Sequence, residues 1–282
     1  MLNKKQKRDR VLIKAQVNYI RELIGNGVEL VYKPGHFGRG RLLYWRHLGK
    51  WKWHVRRYKY VVLGENFYNY NVSKFIKKFN PKCKVVLFFW NKLLNYNYTE
   101  YIKDPNLDDI YTFDEEEAKK YNFKFAGTFY SKRVKLPENK VVKDVLFLGR
   151  GKDREKEIKD LESLLKKLKI KTDFHIINDE KDYIDYKDYL EMISKSKAIL
   201  DYSAYNQRGL TLRVMESLFF GKKLITANKH IKEYDFYDKN NIFILFEDDI
   251  TKLNKFLKTP VKPVDPKILD YYDFDNWINR FE

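Results

Sequence analysis

The chain has 282 residues, 44% of them hydrophobic, and carries 57 Lys/Arg against 39 Asp/Glu for a formal net charge of +18. That is enough apolar material for two small domains or one large α/β domain, so a globular protein is expected. No run approaches the roughly 18–20 apolar residues of a membrane span, the basic start Met1–Arg10 leads into no signal-like apolar stretch, and the single cysteine, Cys83, excludes an internal disulfide and a cysteine-rich metal site.

The charge is unevenly placed. Residues 1–140 hold 30 Lys/Arg against 13 Asp/Glu, a net of +17, whereas residues 141–282 hold 27 against 26. A basic half joined to a neutral half points to one face that meets a polyanion: nucleic acid, anionic lipid headgroups, or a phosphorylated glycan or lipid carrier.

In chain order, the pattern predicts a strand at Arg10–Ile13, a helix over Gln16–Ile24, a turn at Gly25–Gly27 and a strand at Val28–Tyr32. From Leu30 to Gly64 there is no acidic residue, and Lys33, Arg39, Arg41, Arg46, Lys50, Lys52, Arg56, Arg57 and Lys59 interleave with Phe37, Tyr44, Trp45, Trp51, Trp53 and Tyr58. The apolar runs Tyr60–Leu63 and Lys84–Trp90 flank a helical Val72–Phe79, as in a βαβ unit whose parallel strands are buried on both faces. Asp109–Phe113 reads as a strand, and Asp114–Tyr121 as a helix with acids at its start and lysines at its end.

The charged stretch Tyr130–Lys143, with Pro137, is the expected domain junction. A second alternation follows: a strand at Val145–Leu148, a helix at Glu155–Leu168 with Leu161, Leu164, Leu165 and Leu168 on one face, and a strand at Phe174–Ile177. Then come a helix at Tyr186–Lys195, a strand at Ala198–Tyr202, a helix at Leu212–Phe220, and strands at Lys223–Thr226 and Ile242–Phe246. The expected organisation is an α/β chain with a basic N-terminal Rossmann-like domain over 1–140, a second doubly wound domain over 141–265, and a tail over 266–282 that crosses back to the first.

The most informative stretch runs from Tyr202 to Glu216 and on through Gly221–Thr226. It lies between two strands, where open α/β sheets bind ligands. Gly209 allows a close turn, the N–H groups of Leu210 and Thr211 at a helix start suit a diphosphate, Arg213 adds charge, and Glu216 lies deep enough in the helix to accept ribose hydroxyls. Spacing alone equally allows a capped helix with solvated Arg213 and Glu216 side chains.

This segment resembles the donor-site signature of GT-B glycosyltransferases, in particular the bacterial lipopolysaccharide, capsule and spore-coat (CgeB-like) transferases. The residues that carry the resemblance are Gln207, Gly209, Leu210, Thr211, Arg213, Glu216 and Gly221–Thr226, flanked by Tyr189-Leu190, Ile193–Asp201, Phe147–Arg154 and Phe113–Ala118 through Phe129-Tyr130. It covers about residues 58–245 and is strongest over 186–228. It implies two Rossmann-like doubly wound domains facing across a cleft. The implied reaction moves a sugar from a nucleoside-diphosphate donor to an acceptor hydroxyl during surface-glycan biosynthesis. One departure matters: where many retaining members carry a first glutamate, this chain has Arg208, which puts the sugar contacts and the stereochemical outcome in doubt.

The donor is expected on Arg150, Lys152, Arg154, Gln207, Gly209, Leu210, Thr211, Arg213 and Glu216, with the cationic side chains neutralising the leaving diphosphate. No metal and no further cofactor is expected; Asp108 and Asp109 are adjacent, precede a strand and lie in the other half. Candidates for the base that deprotonates the acceptor are His36, in the Gly-rich loop Pro34–Arg41, and Glu65 and Asp114, each just after a strand; a helix cap is the plainer role for Asp114. The expected partners are a nucleotide-sugar donor, a glycan or lipid-linked acceptor and the anionic inner leaflet, in the cytoplasm, with no nucleic acid. Two alternatives stay open: a nucleic-acid-binding protein that stacks bases on Trp45, Trp51, Trp53 and Tyr58, and a relative that binds glycan or nucleotide without turnover.

Overall fold

The computed structural model describes residues 10–14, 28–30, 50–65, 68, 70–93, 101–179, 182, 184–202 and 208–281. His36, Gln207, the predicted helix over Gln16–Ile24 and most of the basic aromatic stretch lie outside the described residues. The chain divides into two compact units: the described residues up to Gly127 joined by Trp277–Phe281, and Thr128–Asn276.

The first unit is a parallel sheet of six strands: β1 (Arg10–Lys14), β2 (Val28–Leu30), β3 (Tyr58–Gly64), β4 (Lys84–Phe89), β5 (Asp109–Thr112) and β6 (Lys124–Phe125), in the order β2-β1-β3-β4-β5-β6. Central strands of a parallel sheet are covered on both faces, which is why Val61, Val62 and Leu63 and then Val85 through Phe89 run as unbroken apolar segments, all buried. Helix α1 (Tyr70–Phe79) buries Val72, Phe75 and Ile76, a helical i, i+3, i+4 stripe. It packs beside a 3-10 turn, Lys50–Arg57, through an edge-on contact of Trp51 with Phe75. Helix α2 (Glu115–Tyr121) starts at Asp114. Within this unit Trp277 packs edge-on against Phe88 and donates from Nε1 to the Gly127 carbonyl at 3.2 Å.

The second unit is a parallel sheet of five strands: β7 (Lys143–Arg150), β8 (Thr172–Ile177), β9 (Ser196–Asp201), β10 (Lys223–Thr226) and β11 (Ile242–Ile244), in the order β11-β10-β9-β7-β8. The connecting helices are α3 (Glu155–Lys167), α4 (Tyr186–Ser194) and α5 (Leu212–Phe219); α6 (Leu253–Lys258), α7 (Pro266–Tyr272) and α8 (Phe274–Trp277) follow. Helix α3 buries Ile158, Leu161 and Leu165, while Leu164, predicted on the same face, is 41% exposed. Its position 60° from Leu161 around the helix places it at the rim of the stripe.

The run Gly221–Thr226 is explained by the fold. Gly221 takes a left-handed φ of +59° that ends α5. Lys222 then donates to the Ser194 carbonyl at the end of α4 and the Ser196 carbonyl at the start of β9, and burial lowers the pKa of its ammonium. Both units are thus mixed α/β with parallel sheets and a Rossmann-like alternation of strand and helix.

Candidate functional site

In the second unit the chain leaves β7 to one side to form β8, then crosses back to form β9. The strand order therefore reverses between β7 and β9, and the crevice beyond their carboxyl ends is the place where such sheets hold ligands. Three segments meet there: Gly149–Arg154 at the end of β7 and beyond it, Tyr202 after β9, and Arg208–Thr211 leading into α5.

Asp201, the last residue of β9, fixes this junction. It is 1% exposed; its Oδ1 accepts from Thr211 Oγ1 at 2.8 Å and Arg213 Nε at 3.1 Å, and its Oδ2 accepts from Thr226 Oγ1 at 3.2 Å. Thr211 caps α5 by accepting from the Val214 N–H. Arg213 also donates from Nη1 to the Leu148 carbonyl at 3.3 Å, and so ties the start of α5 to β7. A Cβ on Gly149 would lie 3.3 Å from that same nitrogen, and one on Gly151 only 2.8 Å from Ile176 Cγ2 and 2.9 Å from Asn178 Oδ1. The loop is glycine-bearing because the chain runs hard against its neighbours there.

Arg154 spans the reversal point. Its Nη1 donates to the Tyr202 carbonyl at 2.7 Å, and its Nε is buried with no hydrogen-bond partner among the described residues. Arg150 is exposed, and the Lys152 side chain lies outside the described residues. Leu210 accepts from Thr128 Oγ1 through its carbonyl at 2.7 Å. Arg208 lies 3.8 Å from Glu233, and its carbonyl accepts from Asn228 and Tyr234.

Glu216 lies one layer deeper, 2% exposed. Its Oε1 accepts from Tyr186 at 3.3 Å and its Oε2 from Tyr189 at 3.0 Å, and Tyr186 is in turn hydrogen-bonded to Tyr130. Burial pushes the carboxyl up to about 7, opposed by the tyrosine hydrogen bonds and by Arg213. Burial and the Glu216 charge raise the phenols of Tyr186 and Tyr189 above their ordinary value. Tyr186, Tyr189 and Asp201 were not among the site residues expected from the sequence. Only the two phenols one helical turn apart, at i and i+3, gave any signal of a polar face on α4.

The base candidates described in the first unit have structural partners. Glu65, 5% exposed, accepts from the Trp90 N–H at 3.0 Å and from the Asn91 side chain. Asp114 caps α2, accepting from the Glu116 and Glu117 N–H groups at 3.0 and 3.2 Å. Glu117, which the sequence did not single out, accepts from the Leu93 N–H at 3.0 Å; its pKa is raised by burial and by Asp114. Asp108 pairs with Lys77, and Asp109 with Lys84 and Lys124. Among the described residues no cluster of three His, Cys, Asp or Glu could hold a metal ion, and no helix is long and apolar enough to cross a membrane.

No family model matches the chain, and no curated protein matches it. Among solved structures it is similar to the apo form of the lipopolysaccharide outer core galactosyltransferase WaaB, with a TM-score of 0.47 and 12% identity over 97% of this chain and 98% of that one. It is also similar to the GtfA/B complex bound to UDP and GlcNAc, with a TM-score of 0.33 and 14% identity over 79% of this chain and 53% of that one. A third similar structure is NAD+-bound 3-phosphoglycerate dehydrogenase of Entamoeba histolytica, with a TM-score of 0.24 and 9% identity over 97% of this chain and 94% of that one.

Proposed function

We propose that the chain is a glycosyltransferase of the GT-B type that moves a sugar from a nucleoside-diphosphate donor to an acceptor hydroxyl, with the donor held at the carboxyl ends of β7 and β9. The observation that carries this reading is the Asp201 junction: a buried carboxylate holds Thr211 and Arg213 at the start of α5, and Arg213 in turn reaches the Leu148 carbonyl of β7, next to the cationic Gly149–Arg154 segment, at the reversal point of the sheet. A helix start beside Arg154, whose buried Nε makes no hydrogen bond among the described residues and has the exposed Asp153 carboxylate 3.8 Å away, is a setting for an anion.

In this reading Gly209, Leu210, Thr211, Arg150, Lys152 and Arg154 hold the diphosphate and Gln207 reaches the sugar; Glu216, buried with both oxygens held by Tyr186 and Tyr189, meets the ribose by giving up one of those hydrogen bonds. Arg213 acts through Asp201, because its charge is already paired there. The acceptor oxygen bonds to the anomeric carbon as the bond from that carbon to the phosphate oxygen breaks. The electron pair leaves with the diphosphate, where fixed cations stabilise it. The acceptor proton passes to a base. Glu65 and Asp114 are committed to backbone N–H groups, which favours His36 for that role. The test is to incubate the protein with UDP-, GDP-, ADP-, CDP- and dTDP-sugars and follow nucleoside diphosphate release. Release from one donor class, slowed about 10-fold or more in Arg154→Ala, is expected; binding without release would mark a non-catalytic relative.

The proposal extends to an acceptor on an anionic membrane surface. In the first unit Trp53 is 78% exposed, with the Lys52 ammonium 5.3 Å from its ring centre. Arg56, Arg57, Lys59, Lys74, Lys78 and Lys82 are exposed on the same turn, on the strand after it, on α1 and just beyond α1, and Asn80, which follows α1, joins it to the turn through the Val55 and Tyr58 carbonyls. An aromatic ring among cations with no acid between them suits a headgroup layer, at about 1 kcal/mol per basic residue. Replacing Arg56, Arg57 and Lys78 with Gln should weaken co-sedimentation with phosphatidylserine vesicles by roughly 100-fold. Unchanged binding, or salt-dependent binding to RNA alone, would contradict the membrane assignment.

A further inference from the structure

From the geometry after β11, we infer that Phe246 is the stacking platform for the nucleobase of the bound nucleotide, an inference that rests on the donor-site reading above. Phe246 has φ +68°, in the left-handed region that a bulky residue avoids, and is 79% exposed. Both features work against folding: the backbone is strained, and the ring gains nothing from burial.

The turn itself does not need an aromatic side chain. It is closed by backbone and carboxylate groups: Glu247 and Asp248 donate their N–H groups to the Ile244 carbonyl, Asp248 Oδ2 accepts from the Ile244 N–H at 2.7 Å, and Leu245 donates to the Thr226 carbonyl. A glycine would serve there with less strain. Something other than the fold therefore accounts for the ring.

Its position suggests what. Phe246 follows β11 at the carboxyl edge of the sheet and leans over toward β9, where its ring meets Tyr202 edge-on at 6.5 Å with an interplanar angle of 79°. Tyr202 is fixed from two sides: its hydroxyl donates to Glu157 at 3.0 Å, and its carbonyl accepts from Arg154. The residue that holds the proposed diphosphate-binding arginine thus also holds the edge of the exposed ring. An aromatic face beside an anion site fits the two ends of a nucleotide, a planar base and a charged diphosphate.

The test compares wild type, Phe246→Gly and Phe246→Tyr by calorimetry with UDP, GDP, CDP, ADP, dTDP and inorganic pyrophosphate, alongside the thermal unfolding midpoint. Phe246→Gly is expected to weaken the tightest nucleoside diphosphate by about 5- to 100-fold, to leave pyrophosphate binding unchanged and not to lower the midpoint. Phe246→Tyr should bind as wild type does. Equal nucleotide affinity in Phe246→Gly and wild type would overturn the stacking role alone, as would a lowered midpoint, which would make the ring structural. If wild type binds no nucleoside diphosphate, this inference and the donor-site reading fall together.

Discussion

Asp201→Ala is expected to cost the second unit about 3 kcal/mol of folding free energy and to abolish nucleotide binding. The carboxylate is 1% exposed and balances Arg213, whose side chain is 22% exposed. Removing one partner of a largely buried pair strands the other; the usual cost is about 3–5 kcal/mol, and the lower end applies because Arg213 keeps the Leu148 carbonyl and some solvent. Thr211 and Thr226 lose their acceptor at the same time. Urea unfolding of Asp201→Ala, Arg213→Ala and the double variant reads this directly. The double should be less destabilised than the sum of the singles by about 1 kcal/mol or more. A loss below about 1 kcal/mol in Asp201→Ala would show that the junction is not held by this group.

The second large effect is on pH dependence. Glu216 titrates at about 7 in the folded unit because it is buried, against 4.5 for the free side chain. Below pH 4.5 both states carry the proton and the group contributes nothing. Between about 4.5 and 7 the folded state keeps a proton that the unfolded state has released, so stability falls as pH rises through that window and stays low above it. The loss integrates to the order of 3 kcal/mol. Glu216→Gln keeps the volume and an acceptor for one tyrosine without the charge, so it should flatten this slope and be more stable than wild type at pH 8. Parallel pH–stability curves for the two proteins would refute the buried-carboxyl account. A stabilising Glu216→Gln that loses nucleotide affinity would show that the ionisable group is kept for ligand rather than for the fold.

Strands β3, β4, β7 and β9 were legible because burial on both faces leaves unbroken apolar runs, and α5 because Thr211 is a cap followed by a helical stripe. The junction that organises the site was not. Asp201 reads in sequence as the polar end of a strand, and its three donors lie 10, 12 and 25 residues away. Tyr189 and Glu216 are 27 positions apart, and only the packing of their helices brings them together. Phe246 reads as the last residue of an apolar strand; its left-handed backbone and exposed ring appear only once the Ile244–Asp248 turn is seen. The 3-10 turn Lys50–Arg57 was visible as composition but not as structure, since Lys50, Lys52, His54 and Arg56 alternate with Trp51, Trp53 and Val55 as they would along a strand.

The central claim is that the carboxyl edge of β7 and β9 holds a nucleoside diphosphate, and hydrogen exchange tests it most directly. Amides of Gly149–Arg154 and Arg208–Val214 should be protected when the tightest-binding member of UDP, GDP, CDP, ADP and dTDP is added, with those of β3–β5 in the first unit unchanged. Protection absent from both segments with every nucleotide, or confined to the basic first unit, would contradict it.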